Sequence, residues 1–248
     1  MVSPKERLIV ALDVPTAVDA QEIIYELADS VTFYKVGLQL FTAEGPGIVS
    51  ELVNSGRKVF LDLKLHDIPN TVAGAVKAAS ELGVHMLTVH AAGGSRMLKE
   101  AVEAARGEPA APMILAVTVL TSFSQSDLEQ SGVKTDISHQ VRHLATLAKA
   151  AGCDGVVTSP HEAQALRSAL GGEMAIVTPG IRPAGSDAED QSRISTPASA
   201  IRAGASHLVV GRPILGAENR LHAAKAIIDE IAASLPTSEM EMAGKKPA

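Results

Sequence analysis

The stretch KVFLDLKLHDIPNT, Lys58 to Thr71, opens as an apolar run, carries Asp62, Lys64 and Asp67 in quick succession, and stops at Pro69. Its apolar part does not alternate with polar residues, the mark of a parallel strand covered on both faces. Runs of the same kind recur along the chain: LIVALD (8–13), FYKVG (33–37), MLTVHA (86–91), MILAVTVL (113–120), GVVTS (155–159), AIVTPG (175–180) and HLVVG (207–211). Parallel neighbours need a crossover between them. The intervals 16–29, 43–55, 69–82, 94–106, 138–151, 160–170, 197–204 and 217–234 place apolar residues at helical spacing, as at Ile227, Ile228 and Ile231 of the last. Eight strand–helix units in 248 residues predict a single α/β domain over residues 1–235, a (β/α)8 TIM barrel near that fold's usual size of about 250 residues. A doubly wound open sheet is the alternative, but its edge strands should be shorter or more polar than these.

Composition narrows the function classes. A hydrophobic content of 46% is ample for one core. A net charge of -6, no Trp and few aromatics argue against a nucleic-acid partner, which needs a basic footprint and stacking platforms. Cys153 stands alone, so no intramolecular disulfide and no cysteine-rich metal site is expected, and it reads as a small buried apolar residue. The apolar run Leu8 to Leu12 is too short for a signal core or a membrane span, so a cytoplasmic protein without a membrane partner is expected. From Pro236 the sequence PTSEMEMAGKKPA loses periodicity, and 236–248 reads as a disordered tail.

Metal signals are weak. Of eight histidines only His139 and His143 stand four apart, without an H-E-x-x-H pattern, and they read as a solvated helix face. DAEDQ (187–191) lacks the spacing of a calcium loop, and AAGG (91–94) reads as a turn into a helix. No metal ligand set and no cofactor site are predicted.

The polar residues gather where barrel enzymes keep their chemistry, at the C-terminal ends of the strands. Asp13 ends the first run, Lys35 lies late in the second, Asp62 and Lys64 end the third and His90 the fourth. Thr121 and Ser122 follow the fifth, Arg182 the seventh, and Gly211 with Arg212 the eighth. Asp62 and Lys64 are two apart and point the same way, with Leu63 and Leu65 on the other side and Asp67 beyond the strand. A structural ion pair is the plain reading of such a motif. Two acids and two bases at one mouth cost desolvation, however, and that cost is usually kept for function. His90 reads as support behind the rim. The polar segment GIRPAGSDAEDQSRIS (180–195), with glycine at 180 and 185, suggests a lid over 183–195, a solvated loop being the alternative.

DLKLHDIPNT, together with ALD at Asp13, KVG at Lys35, VTPGIRP at Arg182 and VVGRPI at Arg212, closely resembles the orotidine 5′-phosphate decarboxylase family, over about residues 8 to 233. The D-x-K-x-x-D element resembles sugar-phosphate decarboxylases and aldolase-like synthases of the same barrel group too. Those relatives hold magnesium with the acids and follow the last Asp with a small pair, where this chain has Ile68-Pro69-Asn70-Thr71.

The resemblance implies cofactor-free conversion of orotidine 5′-phosphate to UMP in de novo pyrimidine biosynthesis. Lys64 would be the proton donor, flanked by Asp62 and Asp67, with Lys35 completing an alternating chain of charges. It also implies a homodimer with shared active sites, in which Asp67, Ile68 and Thr71 belong to the neighbouring subunit's site. Asp13 and Lys35 would meet ribose hydroxyls, Thr121 or Ser122 the pyrimidine, and Arg182, Gln191, Gly211 and Arg212 the phosphate. Two other readings stay open: a magnesium-dependent sugar-phosphate decarboxylase or synthase, and a non-catalytic phosphate-ligand barrel.

Overall fold

A computed structural model describes residues 2–183 and 195–235. The sheet holds eight parallel strands: β1 (Leu8–Ala11), β2 (Phe33–Gly37), β3 (Lys58–Leu65), β4 (Met86–His90), β5 (Met113–Val117), β6 (Gly155–Val157), β7 (Ala175–Thr178) and β8 (His207–Val210). Each pairs with the next, and β1 pairs with both β2 and β8, so the sheet closes on itself. Closure leaves no edge strand and excludes the doubly wound alternative.

Two apolar layers explain why the strands read as unbroken hydrophobic runs. Ile9, Phe33, Phe60, Met86, Leu115 and Val177 belong to a cluster inside the barrel. Their chain neighbours Leu8, Val10, Tyr34, Val59, Leu61, Leu87 and Ile176 pack outward in a second, larger cluster with the helices. Alternation is present, but both faces are dry. The interior is tight enough to dictate one glycine: a Cβ at Gly155 would lie 2.5 Å from the Ala175 carbonyl oxygen and 2.8 Å from a Leu115 methyl.

Helices Ala17–Leu27, Pro69–Glu81, Gly94–Arg106, Ile137–Ala151, Ala163–Leu170, Pro197–Arg202 and Arg220–Ser234 occupy expected intervals. The interval 43–55 differs. Gly45, at φ +67, breaks it into Leu38–Glu44 and Gly47–Asn54, since a glycine enters the left-handed region without the Cβ clash that holds other residues out. Short helices at Pro4–Arg7, Gln125–Gln130 and Arg212–Leu215 are too brief to show a period in sequence. Four of the strands, β1, β5, β6 and β7, end two or three residues before their apolar runs do, so Leu12–Asp13, Thr118–Leu120, Thr158–Ser159 and Pro179–Gly180 extend past the ladder as rim. None of the described helices is long and apolar enough to cross a membrane.

Candidate active site

The third strand is where the regular ladder gives way. Leu61 pairs with Leu87, but the next pairing is Leu65 with Val89, so Asp62, Leu63 and Lys64 face Thr88 alone. Lys64 lies at φ +52, a left-handed conformation that costs a non-glycine residue about 1–2 kcal/mol. The regular pleat expected for Asp62 and Lys64 is therefore replaced by a kink. Leu63 and Leu65 still pack against the outer core, while Lys64 reaches Asp62 from the kinked backbone.

Four charged side chains form a continuous chain across the mouth. Lys64 Nζ is 2.8 Å from Asp62 Oδ2, the same oxygen is 3.8 Å from Lys35 Nζ, and Lys35 Nζ is 2.7 Å from Asp13 Oδ1. Lys35 and Asp62 are buried, at 7% and 8% exposure, whereas the Lys64 side chain keeps 29%. Opposite charges alternate at contact distance, which is what allows them to remain together away from water. The other oxygen of Asp62 accepts the hydroxyl of Thr88 at 2.9 Å, and the Thr88 oxygen accepts the backbone N–H of Lys64 at 2.8 Å. Gly37 closes the KVG motif, but its steric role was not legible there. A Cβ there would lie 2.7 Å from Lys35 Nζ and 3.2 Å from Asp13 Oδ1, so the bare backbone leaves room for that pair.

These groups line a cavity of about 500 Å³ at the C-terminal mouth, floored by Phe60, Val157 and Val209 and reaching Thr121, Arg182, Gly211 and Arg212. Of the two candidates following β5, Thr121 lines it and Ser122 does not. Arg182 is buried, donates from Nη1 to the Ile181 carbonyl, and by its backbone N–H joins the Ser195 carbonyl at 2.9 Å. Ser195 in turn donates to the Gly180 carbonyl, so the two ends of the polar segment are tied together at the rim. Gln191 and most of the expected lid lie outside the described residues, as does the tail 236–248.

Asp67, Ile68 and Thr71 do not line this cavity. Asp67 is exposed and accepts the Ile68 backbone N–H at 2.6 Å, and Ile68 is 67% exposed. Among the described residues of one chain Lys64 thus has one carboxylate partner, Asp62, and Asp67, the second expected flank, lies outside the cavity. Pro69 opens the following helix, a position where its missing N–H is no loss. His90 stands behind the rim, its ring 5.4 Å from that of exposed His66. Burial, then His66 and Lys64, push its pKa below the ordinary histidine range.

A larger cavity, about 930 Å³, opens at the opposite end of the barrel among the first residues of several strands. Two of its cations, Lys58 and Arg167, serve the scaffold. Lys58 pairs with Glu6 at 2.7 Å, and Arg167 donates to the carbonyls of Gly171, Met174 and Gly204. Cys153 is buried, and burial followed by Asp154 pushes its thiol up to about 12, far from a nucleophile's range. His139 and His143 are exposed on their helix, and among the described residues no three His, Cys, Asp or Glu side chains stand together as metal ligands would.

Comparison with known proteins follows the same residues. The model of the orotidine 5′-phosphate decarboxylase / HUMPS family matches residues 6–227. The chain belongs to this family. Orotidine 5′-phosphate decarboxylase of Moorella thermoacetica is 52% identical to it over 233 residues, covering 92% of each protein. That of Rhodopseudomonas palustris is 54% identical over 228 residues, 92% of this chain and 95% of the relative. Among solved structures, orotidine 5′-phosphate decarboxylase from Lactobacillus acidophilus superposes with a TM-score of 0.82 at 42% identity, covering 90% of this chain and 98% of the other. An uncharacterized conserved protein from Geobacillus kaustophilus gives 0.80 at 36% identity. Family membership accounts for the motif at β3, whereas Thr88 carried no motif and reads as an ordinary β-branched strand residue, and Gly37, though it closes the KVG motif, reads only as a strand-ending glycine.

Proposed function

We propose that this chain converts orotidine 5′-phosphate to UMP and CO₂ without a cofactor, as the decarboxylation step of pyrimidine biosynthesis, in the cytoplasm. Departure of CO₂ leaves an electron pair at carbon 6 in the plane of the pyrimidine ring, where the π system cannot take it up. An electron sink is of no use there, and stabilisation must be electrostatic, followed by protonation. The observation that carries this reading is an ammonium at the mouth, Lys64 Nζ, held 2.8 Å from a buried carboxylate oxygen of Asp62 in a chain about half identical to decarboxylases of this name.

Lys64 attracts the developing carbanion and carries the proton it takes. Asp13 and Lys35 meet the ribose hydroxyls and Thr121 the base. Arg182, Gln191, Gly211 and Arg212 take the phosphate, whose binding energy closes the lid and fixes the reacting end. Asp67, Ile68 and Thr71, which project off the mouth of their own barrel, enter the site of a second copy in a homodimer.

Repulsion between a carboxylate and the substrate carboxylate is a secondary contribution. Two unit charges 4 Å apart at an effective dielectric near 20 interact by about 4 kcal/mol, roughly three powers of ten in rate. Asp62 delivers less than that, because its Oδ2 already faces two ammonium groups.

The magnesium-dependent alternative is disfavoured by the same contacts, since both Asp62 oxygens are engaged by Lys64, Lys35 and Thr88. Incubation of the purified chain with orotidine 5′-phosphate, following its ultraviolet absorbance, tests the reading. Loss of absorbance that persists in excess EDTA is expected. No loss, or loss abolished by EDTA, would overturn it.

A further inference from the structure

We infer that Thr88 is a positioning residue for the decarboxylation, acting through one hydroxyl that holds both the backbone of Lys64 and the carboxylate of Asp62. The inference rests on the function proposed above and deepens it.

The kink in β3 sets a problem that the neighbouring strand solves with a side chain. With the pairing jumping from Leu61–Leu87 to Leu65–Val89, the backbone N–H of Lys64 has no carbonyl opposite it in the ladder. It donates to Thr88 Oγ1 at 2.8 Å instead. An N–H can only donate, so the hydroxyl oxygen is the acceptor there, and its one proton is free to go to Asp62 Oδ1, 2.9 Å away. The assignment of donors leaves no ambiguity. Thr88 is itself fully buried and paired in register with Leu115 of β5, so the hydroxyl is fixed by the barrel wall and not by a mobile loop.

Two consequences reach the reacting amine. A neutral donor on Oδ1 sets the carboxylate plane of Asp62 and turns Oδ2 toward Lys64 and Lys35. The bond to the backbone N–H holds Lys64 in the left-handed conformation from which its side chain leaves the strand. Without the hydroxyl, a part-buried N–H and a carboxylate oxygen both lose their partner, and the strand gains a reason to relax toward a regular pleat, which moves Nζ. Displacement of a reacting group by about an ångström is enough to cost on the order of a hundredfold in rate.

The test compares Thr88→Val, which keeps the shape and removes both hydrogen bonds, with Thr88→Ser, which keeps the hydroxyl. Thr88→Val is expected to lower kcat for orotidine 5′-phosphate about 10- to 100-fold, with KM and the affinity for UMP within about threefold. Thr88→Ser should recover most of the lost kcat. In a double-mutant cycle with Asp62→Ala the two losses should fall well short of multiplying, because one acts through the other. A Thr88→Val enzyme with kcat near that of the unaltered chain, or a serine variant as slow as the valine one, would overturn the assignment, as would independent losses in the cycle. Should the valine variant not fold, Thr88→Ala and Thr88→Cys take its place, and the cysteine variant, with a weak donor and acceptor, is expected to have a kcat between those of the serine and alanine variants; equal kcat in the serine, cysteine and alanine variants would overturn the inference. If the unaltered chain shows no turnover while binding UMP, it is the proposed function that fails, and the inference with it.

Discussion

Lys64 Nζ and Asp62 Oδ2 stand 2.8 Å apart although their residues are separated by a break in the β3 ladder and a left-handed backbone at Lys64. In the reaction proposed above, this pair brings the proton donor to the carbon where charge develops and sets a carboxylate against it. Replacing Lys64 by Ala should lower kcat by roughly 10³-fold or more, the scale of a lost proton donor, and leave UMP binding measurable. Asp62→Ala should be the less damaging change in kcat. A ranking reversed by a wide margin would place the main contribution on the aspartate.

Gly37 marks how closely the backbone approaches the Lys35–Asp13 pair. Gly37→Ala puts a carbon 2.7 Å from Lys35 Nζ, so the ammonium must move. The expected result is a rise in KM for orotidine 5′-phosphate of about tenfold, the worth of one displaced charged hydrogen bond, with thermal stability little changed. An unaltered KM would show that Lys35 does not meet the ribose.

Asp67 points off its own barrel and Lys64 points into it. If two copies share sites, Lys64→Ala and Asp67→Ala are each inactive alone but complement each other. Mixed and re-equilibrated in equal amounts, they should recover about one quarter of the unaltered activity, since half the dimers are mixed and each of those holds one intact site. Recovery of nothing would place both residues in the site of one chain.

His207 gives the barrel a pH dependence unrelated to catalysis. It is buried, its Nδ1 has no hydrogen-bond partner among the described residues, and its ring meets Phe33 edge-on at 6.0 Å. Burial first, then Arg7, His85 and Lys58 against an opposing Glu6, lower its pKa to about 4. An unfolded histidine titrates near 6.5, so between these values the unfolded chain binds the extra proton and stability rises with pH. The contribution is complete above about pH 6.5 and is lost as pH falls toward 4. Urea unfolding at pH 7 and pH 5 should differ by roughly 2 kcal/mol from this group, and His207→Leu should remove that part. An identical pH slope in the variant would refute the assignment.

The order of the strands, the spacing of the long helices apart from the break at Gly45, and the identity of the charged residues at the strand ends were legible in the chain. Each depends on local periodicity or on a contiguous motif, and the barrel closes because eight strands with two dry faces leave no place for an edge. Tertiary structure alone decided how Asp62 and Lys64 meet. A regular pleat already puts residues two apart on one face, so nothing in DLK announces a kink, and the hydroxyl that stabilises it comes from Thr88, 24 residues after Lys64. Gly37 likewise shows its role only where Lys35 and Asp13, distant in sequence, come together. Periodicity and motifs report what neighbours along the chain require of one another, whereas ladder slips and close approaches are set by strands that meet only after folding.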